Sequence, residues 1–374
     1  MAQQHERLVS LDAFRGATIA GMVLVNNPGT WSAIYPQLEH AEWNGWTFTD
    51  WIFPFFLWIV GVSLTLSFTA RRERGDSRTQ LLRQVIRRSI IIFAIGLFLA
   101  GFPYFNFSTI RIPGVLQRIA VCYFTASLIV LYTKGLRVQI MWLVGLLVSY
   151  WLIMKLVPVP GIGVGVMERG RNFSAYVDGL FLSGHMWGQT KTWDPEGIVS
   201  TLPAIATTLF GVLTGRFLQG TFTKEEKTSW MFVAGNVLLL LGAILDMWLP
   251  INKSIWTASY AIFMAGWALV CFAMFYWLID VRGYRRWATP FIILGMNAIA
   301  LYSLSEFIGK LYAILITVHR PDGTEISVQE LIFNSVFLPL ASPINASLIF
   351  AVCFVLFIFS IAWVMWRNKW FIKV

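Results

Sequence analysis

Charge is scarce in this chain. Only 13% of its 374 residues are Asp, Glu, Lys or Arg, while 57% are apolar and the mean hydropathy is +0.66. A soluble domain carries about twice that charge, so the shortage excludes a chain folded wholly in water. Alternating apolar segments of barrel-strand length are missing too. The apolar runs are instead roughly twenty residues long, and in hydrocarbon such a run satisfies its backbone only as a helix. Cysteine is sparse: Cys122, Cys271 and Cys353 all stand inside apolar runs without metal-ligand spacing, and they read as small buried hydrophobes. An uninterrupted N-terminal apolar segment is absent because Asp12 and Arg15 break it, so the first span is expected to stay attached rather than be cleaved. Internal repeats, low-complexity tracts and a soluble domain are not evident. Gly161, Gly163 and Gly165 lack the preceding strand and the final glycine of a nucleotide loop.

What is present is a series of apolar windows at 11–27, 48–70, 89–105, 114–133, 138–157, 198–219, 229–249, 255–279, 288–316 and 346–366. They predict an all-α polytopic membrane protein of about ten transmembrane helices, one domain over residues 1–374. Three of the segments between windows, Pro28 to Thr47, Pro158 to Glu196 and about Thr317 to Asn345, are long enough to carry chemistry. The stretch from Arg71 to Arg88 sets Leu81, Leu82 and Ile86 among arginines, which predicts an amphipathic interfacial segment.

The formal net charge is +10, and its distribution decides what it is for. Nineteen Lys and Arg, among them Arg7, Lys134, Lys373 and the run from Arg71 to Arg88, fall on the side of the first residue, against six on the other side. By the positive-inside rule both termini are cytoplasmic. The basic runs then face anionic lipid, and nucleic acid is excluded as the partner.

Ionisable groups inside spans are costly, and each is a candidate site. Asp12 and Arg15 stand three apart on one helical face, as an ion pair or as a site for an anionic ligand. Arg118 opens the fourth window, to bind substrate or to snorkel. Asn26, Asn252, Asn297 and Glu306 lie at or within window ends, where an amide can serve an oxyanion or simply bond a neighbouring helix. Asp194 and Glu196 fit the first turn of a helix. The sharpest signal is His40, set among Glu39, Glu42, Trp43, Asn44 and Asp50 just before a span. An imidazole oriented by a carboxylate is the group a general base for an amine or hydroxyl requires. His5, His185 and His319 have no such surroundings.

Seven strings in order, SLDAFRG (10–16), MVLVNNPG (22–29), HAEWNGWTFTDWIFPFFLWIVGVS (40–63), RIPGVLQRIAVCY (111–123), DPEGIVSTLPAI (194–205), PINKSIWTASY (250–260) and GMNAIALY (295–302), resemble the heparan-alpha-glucosaminide N-acetyltransferase family and its bacterial NagX-like relatives. The resemblance implies a transmembrane enzyme in a bacterial-type inner membrane. Such an enzyme takes acetyl-CoA from the cytosol and acetylates a glucosamine-type amine of an amino sugar or oligosaccharide on the far side. It places the active histidine at His40 and an active-site asparagine at Asn26, and no metal is called for. Cytoplasmic arginines are then the natural partners of the CoA phosphates: Arg15, Arg71, Arg72, Arg87 and Arg88. Substrate contacts are expected from Asp12, Trp43, Asn44, Arg118, Asn297 and Glu306, with Asp50 beside His40, and a homodimer is left open. Direct transfer and passage through an acetylated His40 both fit. The chain departs from the family after GMN, where SLSEF (303–307) stands in place of a glycine-histidine-glutamate string. Two other readings stay open: a sugar or lipid-linked-sugar transporter, for which Pro54 and Gly61 inside a span are equally apt, and an O-acetyltransferase of surface glycans.

Overall fold

The computed structural model describes residues 8–133, 135–320 and 323–372. His5, Arg7, Lys134 and Lys373 lie outside them. The apolar windows become helices α1 (Val9–Asn26), α2 (Thr49–Glu73), α3 (Arg78–Gly101), α4 (Val115–Tyr132), α5 (Leu136–Leu156), α7 (Thr201–Leu218), α8 (Lys224–Asp246), α9 (Ala258–Tyr276) and α13 (Pro343–Arg367), while the window at 288–316 becomes two pieces, α10 (Thr289–Met296) and α11 (Ala298–Lys310). Short helices α6 (Phe173–Phe181) and α12 (Val328–Ile332) and a hairpin of β1 (Thr317–His319) and β2 (Glu325–Ser327), with Val318 opposite Ile326, occupy the long connections.

Nine helical stretches among the described residues are long and apolar enough to cross a bilayer, those of α2, α3, α4, α5, α7, α8, α9, α11 and α13. The first of the ten expected spans is not among them, because Asp12, Arg15 and Asn26 lower its apolarity. It is protected from lipid, with α2, α9, α10, α11 and α13 packed against it. Burial sorts the rest into layers: 72% of the apolar window of α2 is buried and 67% of those of α4, α7 and α9, against 22% for α5 and α8. The outer helices turn large apolar side chains such as Met141, Trp230 and Leu240 outward, as lipid requires.

Glycines set the closest helix crossings. A Cβ on Gly211 of α7 would stand 1.9 Å from the Trp58 carbonyl oxygen of α2, and one on Gly61 would stand 1.9 Å from the Thr208 oxygen. Gly16 of α1 and Gly295 of α10 make the same kind of approach. Small residues at a crossing let two backbones pack where lipid offers no hydrophobic drive.

Two expectations are corrected here. The Arg71 to Arg88 stretch is not a separate interfacial segment: α2 ends at Glu73, and α3 begins at Arg78 and runs unbroken to Gly101. Ser77 and Gln80 form a capping box that starts α3, with Ser77 one residue before Arg78. The window at 288–316 is broken at Asn297, whose Nδ2 donates to the Trp370 carbonyl at 3.0 Å and whose Oδ1 accepts from the Ile372 N–H at 2.9 Å. The chain after α13 thus folds back against the break. One end of the bundle therefore carries Arg72, Arg78 and Arg216, the other the long connections; they are called the basic end and the loop end below.

Candidate functional site

The loop end is built around the first turn of α2. Asp50 is 1% exposed there, and its carboxylate organises the preceding loop: Oδ2 accepts from the Ala41 and Thr47 N–H groups, each at 3.0 Å, and from the Thr47 hydroxyl at 3.2 Å. Oδ1 meets His40 Nδ1 at 2.6 Å. A carboxylate acceptor fixes the proton on Nδ1, which leaves the Nε2 lone pair outward. No hydrogen bond ties Nε2 to a described residue, and the imidazole is 51% exposed. The Tyr260 hydroxyl donates to the Asp50 carbonyl at 2.6 Å and so ties this turn to α9.

Two further loops hold His40 in place. Gly45 donates to the Ile251 carbonyl at 2.8 Å, and Asn44 Oδ1 accepts from Asn252 Nδ2 at 3.2 Å, so the 250–257 loop lies directly against the His40 loop. Gly45 has φ +95°, a conformation that disfavours any residue with a Cβ. Trp43 donates from Nε1 to the Met167 carbonyl at 3.0 Å and packs edge-on against Trp193 at 5.4 Å between ring centres. Trp43 and Asn44, expected as substrate contacts, are thus the clasps between loops.

Lys253, on the 250–257 loop, acts electrostatically on His40, Asp50 and Glu196. Its ammonium is the largest influence that lowers the His40 pKa from 6.5; burial adds to it, and Asp50 opposes both. The imidazole is therefore neutral, and a base, at neutral pH.

Behind Lys253 lies a buried ionic knot. Arg111 donates from Nε to Asp194 Oδ2 at 2.8 Å and from Nη2 to Asp194 Oδ1 at 2.6 Å, and it also reaches Glu196. Burial alone would raise the Glu196 pKa, yet Arg111, Lys253 and Arg118 hold it below the usual carboxylate range. Asp178 accepts from the Ile198 and Asp194 N–H groups at 2.9 and 3.2 Å, and burial lifts its pKa to about 6. Asp194 and Glu196 are thus partners of Arg111, not first-turn residues of α7, which begins at Thr201. Arg118 does not snorkel: it is 2% exposed, donates to the Gly197 carbonyl at 3.1 Å and the Ser200 hydroxyl at 2.5 Å, and lies over the Trp256 ring at 5.2 Å. Its Nε and Nη1 have no hydrogen-bond partner among the described residues.

Asn26 and Glu306 come together at 3.0 Å, Asn26 Nδ2 donating. Tyr302, one turn before Glu306, lies within electrostatic reach of Glu306, Glu196 and Arg111. A polar seam therefore runs from Asn26 and Glu306 past Arg111 and Glu196 to Lys253 and His40. Asp12, Arg15 and Asn297 stand apart from it. Arg15 bonds Asp12 Oδ1 at 3.2 Å, the Gly295 carbonyl at 3.3 Å and Ser63 Oγ at 2.8 Å. Ser63 is thirteen residues past Asp50 on α2, or ~20 Å along a helix. The other two described histidines are occupied: His185 Nδ1 by the Ile110 carbonyl at 2.8 Å, and His319 by Glu325 at 2.7 Å.

Arg111 and Lys253 were legible only as loop basics in the charge count. The signal that could have found them was their place in the RIPG and PINKS strings.

A family model described as "Heparan-alpha-glucosaminide N-acetyltransferase, catalytic" matches residues 7–250. The human protein named heparan-alpha-glucosaminide N-acetyltransferase is 31% identical over an alignment covering 79% of this chain and 52% of that protein. The mouse protein of the same name is 29% identical, with 79% and 53% covered. The chain thus spans about half the length of these relatives.

Proposed function

Because this chain belongs to the heparan-alpha-glucosaminide N-acetyltransferase catalytic family, we propose that it is a transmembrane acetyltransferase that moves an acetyl group from cytosolic acetyl-CoA to the amine of a glucosamine-type sugar at the loop end. The observation that carries the reading is the His40 to Asp50 pair, with Nε2 facing outward at the head of a buried polar seam. A primary amine becomes a nucleophile when a base takes its proton. Nε2 accepts that proton as the nitrogen attacks the thioester carbonyl, the C–S bond breaks, and the sulfur leaves and is protonated to the free thiol. The balance is one amide and one CoA thiol from one amine and one thioester, with no oxidant or metal. Asp50 holds the tautomer and stabilises the imidazolium that forms. Lys253, on the loop against His40, stabilises the negative charge that develops on the carbonyl oxygen. Asn26 and Glu306 line the far end of the same seam.

Two observations support entry of the donor from the basic end: the nineteen-to-six distribution of Lys and Arg, and Arg15 of α1, which reaches Ser63 of α2 and Gly295 of α10. The basic end is then cytoplasmic, as are both termini, and the loop end faces the acceptor. His40→Ala should fold and bind CoA like the parent and lose acetyl transfer to glucosamine by ~10²–10⁴-fold, the usual worth of a general base. Purified protein in lipid nanodiscs, assayed for free thiol and acetylated product, reads this directly. Retention of a tenth of parental turnover refutes the assignment, and glucosamine uptake into proteoliposomes without thiol release replaces transfer with transport.

A further inference from the structure

Within the 250–257 loop one residue holds a backbone conformation that its side chain disfavours. Trp256 has φ +46°, in the left-handed region where glycine is at home and a bulky residue is an outlier. Phe105, Lys191 and Lys369 are the other described non-glycine residues with positive φ, and of the four only Trp256 is buried. Four helices grip its ring. Arg118 of α4 lies over it, Thr207 Oγ1 of α7 accepts from its Nε1 at 3.1 Å, and Phe53 of α2 and Tyr260 of α9 meet it edge-on at 5.0 and 5.3 Å. A turn alone needs no tryptophan here, since glycine or asparagine takes this φ without strain. Strain of this kind persists only where the surroundings over-determine the residue, and it gathers where a protein needs a group held still.

The group held still is Lys253. Its carbonyl accepts from the Trp256 N–H at 3.1 Å, and Asn252 Oδ1 accepts from the Ile255 N–H at 3.1 Å, so the turn closes just behind the lysine. In front, Ile251 and Asn252 tie the loop to the His40 loop. Behind, the Tyr150 hydroxyl of α5 donates to the Ile255 carbonyl at 2.8 Å. The Lys253 ammonium itself has no hydrogen bond or ion pair to a described residue. It nevertheless acts on His40, Asp50 and Glu196 together. A flexible four-carbon stem whose end has no partner is aimed by the backbone it grows from, and here that backbone is the turn that Trp256 closes.

We infer that Trp256 is a positioning residue: packed on Arg118, it locks the 252–256 turn and so keeps the Lys253 ammonium beside His40. The inference rests on the acetyl transfer proposed above and deepens it, since there Lys253 meets the charge that develops on the thioester carbonyl oxygen. Arg118 takes on a role with it. Its guanidinium, buried against the indole and bonded to Gly197 and Ser200, braces the turn against the segment that carries Glu196.

The full chain in lipid nanodiscs, carrying isotope-labelled histidine, gives the His40 pKa by NMR titration; the signal missing from His40→Ala is that of His40. Lys253→Met should raise this pKa, because the ammonium is the largest influence that lowers it. Trp256→Leu changes no charge, so it should raise the pKa by letting Lys253 swing away. The double variant should titrate like Lys253→Met alone, because the second change then has no ammonium to release. On its alkaline plateau, kcat/KM of Trp256→Leu should fall ~10²-fold or more, the usual worth of one donor to a developing oxyanion. Trp256→Phe, which keeps a ring against Arg118, should recover most of both. Unmoved His185 and His319 signals show that a variant is folded. A parental His40 pKa in folded Trp256→Leu, or shifts that add in the double variant, overturns the inference. If Trp256→Leu does not fold, Thr207→Val, which removes only the hydrogen-bond partner of the indole, is judged by the same criterion. The titration uses no acetyl-CoA, so a parent that titrates as expected but transfers no acetyl group overturns the reaction and leaves the placement of Lys253 standing.

Discussion

His40 has to be neutral to act, and the groups around it pull in opposite directions. Lys253 lowers its pKa most, burial lowers it further, and Asp50 raises it. The acidic limb of the kcat/KM profile should therefore fall below pH 6.5, with activity lost as pH drops through the folded pKa. Lys253→Met removes the largest lowering influence, so the limb should move to higher pH while the alkaline plateau loses the carbonyl-stabilising charge. Asp50→Asn removes the raising influence and the tautomer lock together. It should move the limb to lower pH and cut the plateau by ~10²-fold or more. Rate profiles of the two variants moving in the same direction would refute this electrostatic account. Part of the pairing was legible in sequence. His40 stands ten residues before Asp50, and carboxylates crowd it, but Glu39, Glu42 and Asp50 were equal candidates until the loop closed on itself. Asp50 is singled out because the Ala41 and Thr47 N–H groups point at its carboxylate. Lys253 is separated from His40 by more than two hundred residues, and nothing local in the sequence joins them.

At the scale of elements, long apolar runs were easy to read and their discontinuities were not. The arginines from 78 to 88 made the first three turns of α3 read as a separate interfacial segment, although the capping box at Ser77 and Gln80 stood in the sequence. The break at Asn297 was invisible because its amide is satisfied by residues seventy positions on. Close crossings give a sharper test than helix ends. Gly211→Ala drives a methyl into the Trp58 carbonyl of α2, and overpacking of this kind costs ~1–3 kcal/mol or more. Gly145→Ala on α5, with nothing within 4 Å, should be neutral or stabilising by up to ~1 kcal/mol, since alanine is the better helix former. The apparent melting temperature of purified protein should fall for the first and hold or rise for the second. Equal behaviour of the two would mean that the α2 to α7 crossing is not tight.

For the whole molecule, sidedness is what the mechanism needs and what charge asymmetry predicts. Ser32, exposed in the His40 loop, and Thr221, exposed in the turn between α7 and α8, lie at opposite ends of the bundle. Cysteines placed there singly, in a background where Cys122, Cys271 and Cys353 are replaced, should label with an impermeant reagent from outside and from inside respectively. Labelling of both from one face would overturn the membrane crossing.

The fold-back at Asn297 ties the exposed segment after α13 to a buried helix break. An amide that donates to one strand of chain and accepts from it holds a helix break closed, beside the α1 to α10 crossing where Arg15 meets Gly295. Any sequence fused beyond Ile372 therefore hangs from the amide of Asn297. A purification handle at that position pulls on the break between α10 and α11, whereas one in the exposed turn between α7 and α8 does not.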